Sequence, residues 1–201
     1  MSFATNFARA LVPVVLVASV PAAAAESPDL ARLKAHLGAV QTMTANFTQT
    51  DAKGRVETGT LQMKRPGRVR FQYGGGDVLL VADGKRLTFL DYQVGQKSSW
   101  PLSKTPLGAL LSGSPDFNGK AEILPSNDSR VVVARAKNAS QYGQITLAFL
   151  RSGSSPGGLQ MYGWTAVDPQ GHRTTVKLSD VRYNLAVSDS AFTYAEPKKR
   201  H

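Results

Sequence analysis

Three histidines, fourteen carboxylates and no cysteine are what this 201-residue chain offers for chemistry. Without cysteine there is no disulfide scaffold, no thiolate zinc site, no cysteine nucleophile and no lipid-modified N-terminal Cys. His36, His172 and His201 stand far apart, one on a helical stretch, one beside a turn and one at the end of the chain, and none belongs to an H-E-x-x-H pair. They read as solvated side chains, with no metal and no cofactor implied. No G-x-S-x-G nucleophile elbow occurs. The stretch from Gly113 to Gly119-Lys120 is one residue too long for a phosphate-binding loop and is followed by Ala121 instead of Ser or Thr. Asp83 and Asp91 are the nearest approach to a pair of catalytic carboxylates, but Asp83-Gly84 is a hairpin-turn signature and Asp91 falls at a strand end, so both read as turn acids. The residue types describe a protein that binds, not an enzyme.

Charge and the N-terminus narrow what is bound, and where. Lys and Arg number 24 against 14 Asp and Glu, a formal charge of +10, which favours anionic partners such as nucleic acid, anionic lipid or an acidic protein face. Arg9, the apolar run Ala10 to Val20 broken by Pro13, and the small-residue stretch Pro21 to Ala25 form a secretory signal cleaved before Glu26. A membrane anchor is the competing reading, but the run is shorter than the roughly 20 apolar residues a span needs. Residues 1–25 are therefore expected to leave on export, residues 26–201 to form one domain, and nucleic acid drops out as a partner.

The elements that must position a binding site follow from periodicity. Ser27 can cap a helix, Pro28 suits its first position, Asp29 favours its N-terminal dipole, and Leu30, Leu33, Leu37 and Val40 recur at helical spacing. From Met43 the period falls to two, in runs such as Met43/Ala45/Phe47, Leu61/Met63, Val69/Phe71/Tyr73 and Ile145/Leu147/Phe149. Turn signals including Lys53-Gly54, Pro66-Gly67, Asp83-Gly84, Asn118-Gly119 and Gln170-Gly171 separate them. About ten short strands imply a strongly curved antiparallel sheet. One segment breaks the rhythm: Thr105 to Leu111 has a capping residue, a first-turn proline and leucines at 107, 110 and 111, and predicts a short apolar helix bounded by Ser112-Gly113.

A small sheet and two apolar helices can all bury their apolar faces if the helices plug the open side of the curved sheet, which creates an apolar interior. Phe47, Leu61, Met63, Val69, Phe71, Leu79, Val81, Phe89, Leu107, Leu110 and Leu111 are expected to line it, bounding a cavity open to acyl chains and not fully packed by side chains. Two other readings compete: a sensor or regulator that uses the same apolar groove to detect acylated ligands, and a static envelope module that uses the basic surface instead, binding anionic glycolipid with a steep salt dependence.

Phe47-Thr48-Gln49, the stretch Gly59 to Phe71 with Lys64-Arg65-Pro66-Gly67 at its centre, Val81-Ala82-Asp83-Gly84-Lys85, and Thr105-Pro106 with its leucine-rich helix together resemble the LolA family of periplasmic lipoprotein carriers. The resemblance runs from about Leu30 to Pro197. It implies a mainly β protein, an incomplete antiparallel β-barrel (half-barrel) with an N-terminal helix and a short helical lid, in the periplasm of a Gram-negative bacterium. It further implies acylated lipoproteins as cargo, an inner-membrane LolCDE-type transporter as donor, an outer-membrane acceptor, LolB-like where one exists, a monomer, and no cofactor. Arg65 matches the family's arginine, which hydrogen-bonds helix backbone carbonyls and holds the lid closed. Val69 and Phe71 match positions on the cavity wall. The sequence departs from the family pattern at Gln62, where a large apolar residue is common, in the strand Arg86 to Leu90, which keeps a single aromatic, and in a short C-terminus whose Lys198-Lys199-Arg200-His201 tail is expected to be solvated.

Overall fold

The structure, a computed structural model, describes residues 26–111, 121–136 and 143–198, with Pro106, Ala109, Leu110, Ala121 and Ala136 described in their backbone alone. The expected signal segment, the Ser112-Gly113 boundary, the Asn118-Gly119 turn, the glycine stretch to Lys120 and His201 lie outside the described residues.

Helix α1 (Pro28–Ala39) begins where the capping signal put it: the Ser27 hydroxyl accepts the Leu30 amide at 3.2 Å, with Pro28 in the first turn and Asp29 at the positive end of the helix dipole. Eleven strands follow: β1 (Thr42–Thr50), β2 (Val56–Lys64), β3 (Arg68–Tyr73), β4 (Val78–Asp83), β5 (Arg86–Asp91), β6 (Gln96–Pro101), β7 (Ala121–Leu124), β8 (Val131–Ala136), β9 (Gln144–Arg151), β10 (Leu159–Val167) and β11 (Arg173–Tyr183). Helix α2 (Pro106–Leu111) lies between β6 and β7.

All eleven strands form one sheet in the order β6-β5-β4-β3-β2-β1-β11-β10-β9-β8-β7. Every pairing is antiparallel. Two meanders are thus joined side by side where β1 meets β11, and among the described residues β6 and β7 are the end strands of the sheet. Closure is not reached, so the architecture is the half-barrel. Register shifts between Thr44 and Asn46 on β1 and between Met161 and Gly163 on β10 add the local twist that curls it. The curl is deep: the rings of Phe71 on β3 and Trp164 on β10, four strands apart in the sheet, meet edge to face at 5.8 Å across the concave side.

Two apolar clusters share the concave face. Leu33 and Leu37 of α1 pack on Val132, Ile145, Leu147, Phe149 and Leu159, covering the β8–β10 half. Leu102, Leu107 and Leu111 around α2 pack on Met63, Val69, Phe71 and Leu87, covering the β1–β5 half. Met161 and Trp164 touch both clusters and join them.

A third cluster lies on the convex face. Leu79, Val81 and Leu90 are buried there under Phe192, from the chain that follows β11. That segment crosses the back of the sheet and is held successively by Thr42 Oγ1 donating to the Leu185 carbonyl (2.7 Å), Lys64 Nζ to Val187 O (3.0 Å), Arg70 to Thr193 O (3.0 Å) and Tyr92 Oη to Ala195 O (3.0 Å). Lys97 and Glu196 pair at 2.5 Å at the β6 edge. The sequence did not announce this strap.

Candidate functional site

Where the two concave clusters meet, the packing leaves a cavity. The sheet supplies Met43, Leu61, Met63, Val69 and Phe71 from one half and Leu147, Phe149, Met161 and Trp164 from the other; Leu107 and Leu111 come from α2, and His36 and Leu37 from α1. Every one of these walls is apolar except at two points, Arg65 and His36. Its volume is about 70 Å³, far below the roughly 300–1,000 Å³ of sites that bury a whole ligand. The described side chains leave room here for part of an acyl chain and not for a whole one.

The pleat decides which expected residues share this space. Phe47, Leu61, Met63, Val69 and Phe71 lie on the concave face, all at 7% exposure or less. Phe47 completes a ladder with Phe71 (5.6 Å) and Tyr73 (5.0 Å) at one end of the cavity. Phe89 pairs with Leu80 and faces the same way, half-buried. Leu107 and Leu111 roof the cavity, while the side chain of Leu110 is outside the described residues. Leu79 and Val81 do not belong to the site. Phe71 pairs with Leu80 and Val69 with Ala82, so it is Leu80 and Ala82 that face inward, and Leu79 and Val81 point out into the convex cluster.

Arg65 follows β2 in the turn to β3. Its amide donates to the Gln41 carbonyl at 2.8 Å, tying that turn to the end of α1, and the Gly67 amide donates to the Leu111 carbonyl at 2.7 Å, tying it to the end of α2. The guanidinium lies in the cavity wall, and burial pulls its pKa below the ordinary arginine value, which leaves it a cation.

His36 is not solvated. It is 3% exposed, its Nδ1 sits 2.8 Å from the Pro156 carbonyl, and its ring meets those of Phe149 and Tyr183 edge to face, each at 5.3 Å. Burial pushes its pKa down; the Pro156 and Leu159 carbonyls oppose that shift and the Arg65 charge adds to it. The signal was in the sequence: Leu33, His36 and Val40 stand at i, i+3 and i+7, on the buried stripe of α1. His172, by contrast, is an exposed turn residue paired with Asp168 at 2.9 Å, and Asp83 and Asp91 each accept amides of their own turns. Among the described residues no group of three or more His, Asp or Glu is placed to hold a metal ion, and no helix is long and apolar enough to cross a membrane.

The cavity is thus an apolar interior under two helices tied to the sheet by a few hydrogen bonds, a space whose lining suits an apolar group. The family model described as outer membrane lipoprotein carrier protein LolA matches residues 38–195, and the chain belongs to that family. It is similar to an outer-membrane lipoprotein carrier protein of Chromobacterium violaceum, 28% identical, with 94% of this chain and 96% of the relative aligned. A protein of the same description from Legionella pneumophila is 30% identical over 83% of this chain and 85% of the relative. Among solved structures, a LolA superfamily protein from Nitrosomonas europaea covers 85% of this chain and 99% of its own at 13% identity, with a TM-score of 0.48.

Proposed function

We propose that this protein is a periplasmic carrier that shelters the acyl chains of lipoproteins in the concave cavity and moves them from the inner to the outer membrane. The observation that carries this reading is an apolar lining shared by sheet and both helices, interrupted only by the His36 ring and by the Arg65 cation in the turn that fastens both helix ends. Membership of a family described as outer membrane lipoprotein carriers supports it. The chain is exported with residues 1–25 removed, acts as a monomer, receives acylated lipoprotein from a LolCDE-type transporter and passes it to an outer-membrane acceptor, LolB-like where the cell has one.

The energetics favour a lid that closes over the empty cavity. Each CH2 moved from water to an apolar interior gains about 0.8 kcal/mol, so a diacyl anchor in a rigid open cleft would not leave on any useful timescale. A roof held down by hydrogen bonds subtracts its closure energy from the affinity for cargo, which brings loading and release within reach of each other. Arg65 suits the latch, because its rigid fork of donors stays charged when buried and can serve the carbonyl ends of the helices beside it.

The reading is tested by mass spectrometry of the protein purified from periplasm. Co-purifying acylated lipoprotein is expected, and a protein repeatedly isolated without acyl cargo from cells blocked in outer-membrane delivery would remove it.

A further inference from the structure

We infer that His36 is a proton-operated gate of the cavity: protonation of its ring favours the open form and raises affinity for apolar cargo as the medium turns acidic. The inference rests on the carrier reading for what enters, but the gate itself is a property of α1 and the sheet.

The geometry fixes the tautomer. A carbonyl oxygen accepts only, so the Nδ1 that faces Pro156 O at 2.8 Å must carry the ring proton, and in the neutral ring Nε2 then carries none. A second proton would have to sit on Nε2 of a ring that lines the cavity with Leu37, Phe149, Met161 and Trp164, with the Arg65 charge opposing it and the Leu159 carbonyl favouring it. Two cations in one apolar cavity are costly, and the cost falls away once the roof lifts and water reaches the ring.

Among the other groups around the ring, the Pro156 and Leu159 carbonyls favour the charged form, and burial outweighs them. From β11 comes Tyr183, whose hydroxyl accepts the Met161 amide at 2.8 Å and whose pKa burial raises, so it stays neutral through the relevant range. From β9 comes Phe149, from the loop after β9 the Pro156 carbonyl, and from β10 the Leu159 carbonyl. On α1 itself the charged neighbour is exposed Arg32, another cation.

His36 is also well placed to act on the whole helix. Gly157 packs against the α1 backbone at this residue so closely that a Cβ there would lie 2.3 Å from the His36 amide nitrogen. The loop therefore grips α1 at the residue that titrates. Closed, the ring has a depressed pKa; open, it returns toward 6.5. The form with the higher pKa gains as pH falls, so the opening equilibrium shifts by up to about tenfold per pH unit below roughly 6.5.

The test uses the mature chain with two readouts. The first is binding of a fluorescent diacylated lipopeptide at pH 7.5, 6.5 and 5.5. The second needs no cargo: acrylamide quenching of Trp164 fluorescence in a Trp100→Phe background, which leaves Trp164 as the sole tryptophan. The parent is expected to bind about tenfold more tightly at pH 5.5 than at 7.5 and to expose Trp164 in parallel. His36→Gln keeps an N–H donor for the Pro156 carbonyl but does not titrate, and should be flat in both readouts, whereas His172→Gln should behave as the parent. A His36→Gln protein that keeps the pH response, or a parent without one, overturns the gate. Lipopeptide that fails to bind at any pH while Trp164 still responds overturns the carrier reading and leaves the gate standing.

Discussion

The Gly67 amide donates to the Leu111 carbonyl at 2.7 Å, so the last turn of α2 is fastened by its backbone to the same tight turn that carries Arg65. Gly67 has φ +72°, and a Cβ at that position would lie 2.7 Å from the Gly84 Cα of the neighbouring hairpin. The turn is wedged between the β4–β5 hairpin and the roof helix, and any change in it is felt at the lid.

Gly67→Ala should therefore loosen the roof. The positive φ and the contact with Gly84 together cost about 1–3 kcal/mol, and the turn must retreat from the hairpin. A lower melting temperature is expected together with tighter binding of an apolar dye, because the lid opens more readily. A variant that melts lower yet binds dye as the parent does would show that this turn does not control the cavity.

Arg65→Leu should uncouple loading from delivery. A hydrogen bond from a charged donor is worth about 1.5–3 kcal/mol, and its loss from the closed form raises the affinity for cargo by the same amount. Carrier-bound lipoprotein should accumulate in periplasmic extracts while outer-membrane delivery falls. Normal delivery by Arg65→Leu would return Arg65 to a structural role in its turn.

The two faces of the sheet should separate stability from binding. Leu79→Ala removes a side chain 1% exposed on the convex face and should cost about 2–5 kcal/mol by denaturant titration while leaving lipopeptide affinity of the folded protein unchanged. Leu107→Ala, half-buried in the roof, should cost less stability and change uptake. The reverse pattern would place the acyl site on the wrong face.

Asp29 supplies the acid control. Arg151 grips its carboxylate through both oxygens, at 2.6 and 2.8 Å, and this hydrogen bonding holds the pKa below its ordinary 3.8. A depressed carboxylate pKa contributes stability that is complete above about pH 4 and lost as pH falls through the folded value. Asp29→Asn should thus lower stability by a roughly constant amount, about 1 kcal/mol at this partly exposed site, from pH 5 to 8, and converge on the parent in stronger acid. A difference that changed between pH 5 and 7 would implicate Asp29 in the response assigned to His36.

How much of this was legible in the sequence depended on whether a residue's neighbours revealed its face. Where apolar and polar residues alternate, as in Leu61-Gln62-Met63 and Val69-Arg70-Phe71, parity assigned the concave face correctly. In Val78 to Ala82 every residue is apolar, because the strap with Phe192 covers the back of β4, and parity is silent; Leu79 and Val81 were placed on the wrong side for that reason. Helix α1 was readable from its cap and leucine spacing, but a histidine on the apolar stripe carries no mark of burial except its position. The strap itself has no period to detect. It is held by side chains spread over β1, β2, β3, the turn after β5 and β6, a pattern visible only once the strands are side by side.

The central claim, that acyl chains lie in the concave cavity, is tested most directly by photocrosslinking in cells with a photoreactive phenylalanine analogue. Phe71 and Phe192 form a matched pair, 4% and 5% exposed and on opposite faces of the same sheet. The account predicts lipoprotein adducts from position 71 and none from position 192. Adducts from 192, or from neither position in cells whose lipoprotein delivery is blocked, would contradict it.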